Sequence, residues 1–252
     1  MNLKNTKIIP VTYAGGSGGK FLAYLLNSAK IPNYKPAHLS KHGNAHAIYD
    51  NDIINMHTLP YTIEVLVNEQ ISELLNYVNN DEMPIFCCCH ILDIDELVNN
   101  FDKVIQICYD EEDLPNIAYA YTAKIGLDEN NDDDINYLSN LVKSCAMSNF
   151  KIIEKFRHRY DLEPALLNVT WKELYQDDID ILITKLSNFA NLPGDNFNKD
   201  QIIEWRIRTN DGIKKVKSLL GDNKKKIIIW KVEGNMNYRI HLDSLAKYNT
   251  GD

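Results

Sequence analysis

The feature that most restricts what this chain can fold into is its first glycine cluster. Ala14-Gly15-Gly16-Ser17-Gly18-Gly19-Lys20 separates a short apolar run, Lys7 to Tyr13, from Phe21 to Leu26, where apolar residues recur at helical spacing. A strand, a glycine turn and a helix in that order make an α/β unit, with the turn at the carboxyl end of the strand. Glycines let successive backbone N–H groups converge on an anion, the helix start adds the positive end of its dipole, and lysine adds a point charge. Two readings stay open: a cradle for a phosphate-type anion formed by Gly15, Gly16, Ser17, Gly18, Gly19, Lys20 and Phe21, or a tight turn without a ligand. The spacing is that of a relaxed nucleotide-binding loop with one exception. Phe21 stands where a Ser or Thr hydroxyl would hold magnesium. That disfavours a metal-assisted NTPase and leaves a magnesium-independent phosphate or sulfate site.

The alternation continues along the chain. Unbroken apolar runs at 84–90, 103–109 and 165–170 read as buried parallel strands. Helical spacing predicts helices over 68–79, 114–125, 134–160, 179–190 and 199–220, and a late strand over 226–231. Pro10 sits awkwardly in the first strand, because proline has no N–H to give a ladder. Residues 31–61 hold four histidines and three prolines and read as a loop-rich insertion. No repeat or linker divides the chain. The expectation is one α/β domain over 1–252: a three-layer parallel sheet with helices on both faces, the glycine loop after strand one, and a basic region at 199–248.

Composition narrows the partners. With 44% hydrophobic and 25% charged residues the chain is ordinarily globular. No apolar run reaches the roughly 18–20 residues of a membrane span. Its start lacks the pattern of a secretory signal, so a cytoplasmic, membrane-free protein is expected. The net charge of −8 is unevenly spread. Residues 110–134 carry nine acids against Lys124 alone, whereas 199–232 carry ten Lys or Arg against four acids. Generic nucleic-acid binding does not fit that balance. Of the five cysteines, Cys87, Cys88 and Cys89 are adjacent, and neighbours on a strand face opposite ways. They read as buried, reduced residues of a central strand rather than as a disulfide framework or zinc site.

His90 ends the 84–90 run, at the sheet edge where open α/β proteins bind ligands and where the glycine loop also lies. It is either a general base working at neutral pH or a satisfied structural histidine. His38, His42 and His46 recur every four residues, but Pro36 and Gly43 interrupt any helix that would align them. They read as part of a polar covering loop, and no metal is expected.

At these residues the chain resembles the sulfotransferase family of P-loop proteins. Tyr13 to Phe21 looks like the loop with which that family grips the 5′ end of phosphoadenosine phosphosulfate. Cys88-Cys89-His90-Ile91-Leu92 is similar to the motif whose histidine deprotonates the acceptor hydroxyl. Lys103 to Tyr109 followed by Asp113 resembles the next strand and its Arg-Asn-Pro-Arg-Asp motif. Val169-Thr170-Trp171-Lys172-Glu173-Leu174, through Phe189-Ala190-Asn191-Leu192, looks like a later strand–helix element. Together these segments cover about half the chain. The pattern differs at Cys88 and Tyr109, where the family has a lysine and the arginine that binds the donor's 3′-phosphate. Asp110, Glu111 and Glu112 crowd that phosphate's place, and Arg206, Arg208, Lys214 and Lys215 are candidate substitutes from a helix. The composition also resembles that of divergent sulfotransferase-like proteins in viral genomes, which would place the chain in a host cytoplasm.

The resemblance implies transfer of a sulfuryl group from phosphoadenosine phosphosulfate to a hydroxyl or amine acceptor, with His90 as base, Lys20 stabilising the transferred group, and no metal. A second reading is a non-catalytic interaction protein on the same scaffold, with the acidic segment facing an unknown protein partner. A nucleotide or small-molecule kinase ranks third, because Phe21 removes the magnesium ligand.

Overall fold

The structure is a computed structural model that describes residues 3–32, 83–91, 93–123, 132–233 and 236–245. Four strands form one parallel sheet: Ile8–Thr12 (β1), Ile85–Cys89 (β2), Val104–Cys108 (β3) and Leu166–Thr170 (β4), in the order β2-β1-β3-β4. Helices alternate with them as the periodicity requires. Gly19–Ser28 (α1) follows β1, Ile94–Asn100 (α2) follows β2, and Leu114–Thr122 (α3) and Asp132–Lys151 (α4) follow β3. Beyond β4 come Trp171–Tyr175 (α5), Ile179–Ala190 (α6) and Lys199–Leu220 (α7). Ile228–Glu233 (β5) and Met236–His241 (β6) then form a separate antiparallel hairpin, before Leu242–Leu245 (α8).

The pleat sorts the sheet residues into two cores. Ile9, Val11, Phe86, Cys88, Ile105, Ile107 and Val169 face one side and pack with α1 and α3 to α7. Ile8, Ile85, Cys87, Cys89, Val104 and Leu166 face the other, under Ile94 and Leu97 of α2 and Phe101 beyond it. Towards the carboxyl ends of the strands this second face turns polar, and its groups are bonded. The Thr12 hydroxyl donates to Ile91 O, Gln106 Nε2 to Lys155 O, and Asn168 Nδ2 to Arg159 O. Irregular chain from the 3₁₀ turn Ile153–Phe156 onward therefore closes a surface that no described helix covers.

Pro10 is tolerated at the middle of β1. The ladder from β1 to β3 begins only at Val11, one residue later, so the missing N–H falls before that pairing starts. The cysteine strand departs from expectation in one respect. It is fully buried and forms no disulfide among the described residues, but it is an edge strand of the described sheet rather than a central one. Unbroken apolar character reports burial of both faces, not the number of neighbouring strands. The late strand exists as β5, but outside the main sheet. Helix 134–160 ends early, at Lys151, and the expected helix 68–79 and the insertion beyond residue 32 lie outside the described residues.

Candidate functional site

Three of the predicted features meet at the carboxyl edge of the sheet. β1 ends into the glycine loop, β2 ends at His90, and β3 ends at the acidic run beginning with Asp110. Parallel pairing of β1 with β2 and β3 makes this inevitable, since all three strands point the same way.

The loop backbone alternates between hands. Gly16 and Gly18 have φ of 88° and 92°, while Ser17 between them and helical Gly19 do not have positive φ. Such alternation turns successive N–H groups towards one point. Both the N–H and the hydroxyl of Ser17 bond to Ala14 O, closing the turn. By contrast, the N–H groups of Gly18, Gly19, Lys20 and Phe21 have no acceptor among the described residues. Packing beneath the loop fixes its shape. A Cβ at Gly18 would lie 2.8 Å from the Tyr175 hydroxyl and 2.9 Å from the Trp205 ring, and one at Gly16 would lie 2.6 Å from Ile117 O. The Tyr175 hydroxyl, only 2% of that residue being exposed, has no hydrogen-bond partner among the described residues.

Phe21 belongs to this support rather than to a ligand surface. Its ring is fully buried and stacked on Trp205, with centroids 3.9 Å apart, so only its backbone N–H is placed for an anion. Lys20 is half-buried and forms no ion pair among the described residues. Its charge reaches Cys88: burial pushes that thiol up, and Tyr13 and Lys20 pull against the rise.

His90 is held by Tyr13. The two rings meet edge to face at 4.8 Å, and the imidazole hydrogen-bonds the Tyr13 backbone. Burial lowers its pKa below the ordinary value of 6.5 and outweighs that hydrogen bond, so the neutral base form prevails at pH 7. The same Tyr13 ring packs so closely on the start of α1 that a Cβ at Gly19 would overlap it. His90 and the loop are thus joined through Tyr13, the residue at which the first apolar run passes into the glycine loop.

The third region is a cleft of about 750 Å³ where β3 and β4 end. Tyr109 and Ile153 supply apolar wall, and Asp110, Glu111, Glu112, Asp113 and Asp177 supply five carboxylates. Tyr109 itself is turned inward, its hydroxyl donating to Asn149 O at 2.9 Å. Nor do the helix cations replace an arginine here. Arg206 donates to the backbone oxygens of Glu173, Leu174 and Asp177, where α5 ends, and Arg208 is 2.6 Å from Glu204. Asp177 was missed in the sequence because it stands 64 residues beyond Asp113, and only the pairing of β3 with β4 brings them together.

Among the described residues, no three His, Cys, Asp or Glu side chains are grouped to hold a metal ion, and the histidines of the insertion lie outside that description. No described helix is long and apolar enough to cross a membrane. No known protein-family model matches the chain, and no curated protein matches it.

Proposed function

We propose that the Gly15–Phe21 loop binds a phosphate- or sulfate-type group of a nucleotide, and that the protein is a sulfotransferase-like enzyme acting through it. The observation that carries this reading is the set of loop N–H groups without acceptors among the described residues. Buried donors left unbonded cost on the order of 1–3 kcal/mol each, and an anion relieves several at once. In the proposed reaction His90 takes the proton from an acceptor hydroxyl or amine, whose oxygen or nitrogen attacks the sulfur of phosphoadenosine phosphosulfate. The bond from sulfur to the phosphate oxygen breaks, and the loop amides with Lys20 stabilise the charge on the departing oxygen. Its lowered pKa suits His90 to accept that proton at neutral pH.

The other end of the donor fits less well. Tyr109 faces inward, and the carboxylates around it repel a 3′-phosphate. Together with the Tyr13 ring against both Gly19 and His90, this favours a second reading, a nucleotide-binding protein that carries out no transfer. Calorimetry with 3′,5′-adenosine bisphosphate and with ATP, each with and without magnesium, tests the ligand. The first reading expects saturable bisphosphate binding unaffected by magnesium. Binding of ATP alone, and only with magnesium, would replace it with the kinase reading. Loss of sulfuryl transfer in His90→Ala with bisphosphate affinity kept separates the enzyme from the binding protein.

A further inference from the structure

We infer that the cleft at the ends of β3 and β4 binds an organic cation through an ammonium or guanidinium group. Its charges are the first argument. Five carboxylates line it against two permanent cations, and both cations are already engaged. Arg157 lies 2.7 Å from Glu154, outside the lining, and Lys172 lies 3.6 Å from Glu112. Asp110, Asp113 and Asp177 are left without an ion pair among the described residues.

Asp113 is the second argument and the sharper one. It is 3% exposed and lines the cleft. One oxygen, Oδ2, accepts the Asp110 N–H at 3.2 Å, while Oδ1 has no hydrogen-bond partner among the described residues, and the neighbouring Asp110 carboxylate only adds to the negative charge. The residue precedes α3 at the position where an aspartate usually caps a helix, yet its side chain makes no capping bond. A buried carboxylate with an unbonded oxygen is strongly unfavourable unless a donor, best a charged one, reaches it.

Size and shape select the kind of cation. Among the described residues no three carboxylates are grouped tightly enough for a metal ion, whereas about 750 Å³ is the volume of a small-molecule site. The Tyr109 and Ile153 walls suit a methylene chain between charged ends. The cleft lies on β3 and β4, on the far side of β1 from His90, so this inference does not depend on sulfuryl transfer.

The test is calorimetry at pH 7.5 with spermidine and with argininamide, and separately with magnesium chloride. Saturable binding of either organic cation is expected, weakened about tenfold or more in Asp113→Asn and in Asp177→Asn, and unchanged in Lys20→Met. A thermal melt checks that each variant is folded, and if Asp113→Asn is not, Asp177→Asn decides. Absence of saturable binding overturns the inference. So does equal affinity in the folded variants, which would reduce the effect to general attraction by an acidic chain, and so does tighter binding of magnesium than of either organic cation.

Discussion

The glycine loop and the acidic cleft share one edge of one sheet, a strand apart, and are built on opposite plans. The loop presents backbone N–H groups that have no acceptor among the described residues. The cleft presents carboxylates, and Oδ1 of its buried Asp113 has no donor among the described residues. Their foundations differ as well. Beneath the loop lies a continuous aromatic stack, Phe21 on Trp205, Trp205 beside Tyr175, and Tyr175 on Trp171. Beneath the cleft lies a carboxyl that burial and the nearby Asp110 charge push up to about 6. One site is stabilised by what holds it, and the other is kept against the preference of the fold. Parallel strands allow this because they bring their carboxyl ends together without requiring the segments that follow to agree in charge.

The largest expected effect breaks the loop's foundation. Phe21→Ala should lower stability by about 3–5 kcal/mol, since it empties a fully buried ring site. Chemical denaturation measures it, and a loss below about 1 kcal/mol would mean that the stack does not support the loop. Next, His90→Ala should lower the transfer rate at least about 10²-fold while leaving donor affinity unchanged. Its rate profile in the unmodified protein should reach a plateau with a midpoint below 6.5, the direction in which burial moves the imidazole. A midpoint above 6.5 would remove burial as the controlling influence.

A third prediction has the opposite sign. The folded pKa of Asp113, about 6, lies above the unfolded value of about 3.9, so the folded state holds the extra proton between those values. Its contribution to stability therefore falls as pH rises from about 4 to about 6 and stays low above that. Asp113→Asn should raise the melting temperature at pH 7.5, and the gain should shrink as the pH is lowered towards 4. A variant less stable than the parent at pH 7.5 would end the contrast between the two sites. The smallest effect belongs to Lys20→Met, which should weaken bisphosphate binding by about 1 kcal/mol, or roughly fivefold, as expected for a half-exposed charge. No change would show that the loop amides act without it.

Much of the scaffold was legible. The helix over 179–190 matches the spacing residue for residue, because its apolar positions, Leu182, Ile183 and Leu186 among them, bury one stripe. The four sheet strands announced themselves as apolar runs. By contrast, α2 was overlooked. It has only seven residues, and its clearest signal was Asp93 accepting the Glu96 N–H as an N-cap. The short α5 hid in the same way behind the Thr170–Glu173 capping box. β6 was overlooked although its pattern was there: Met236, Tyr238 and Ile240 alternate with Asn237, Arg239 and His241, and the stretch is only six residues long.

The candidate sites divide along the same line. The glycine cluster 15–19 could be singled out from the sequence, since a tight strand-to-helix turn favours residues without a Cβ, but that Gly16 and Gly18 are the two with positive φ came only with the structure. That Phe21 would turn into the core onto Trp205, and that Tyr13 would join His90 to α1, depended on residues far apart in the chain. The acidic run at 110–113 was visible as charge, but its partners Arg157, Lys172 and Asp177 came only with the β3–β4 pairing. By itself the sequence determined the alternation of strands and helices, the turn and the candidate base, because these follow from periodicity and from backbone freedom within a few residues. Strand order, the edge place of the cysteine strand among the described strands and the make-up of the cleft were decided by tertiary structure alone, because long-range pairing sets which chain ends meet.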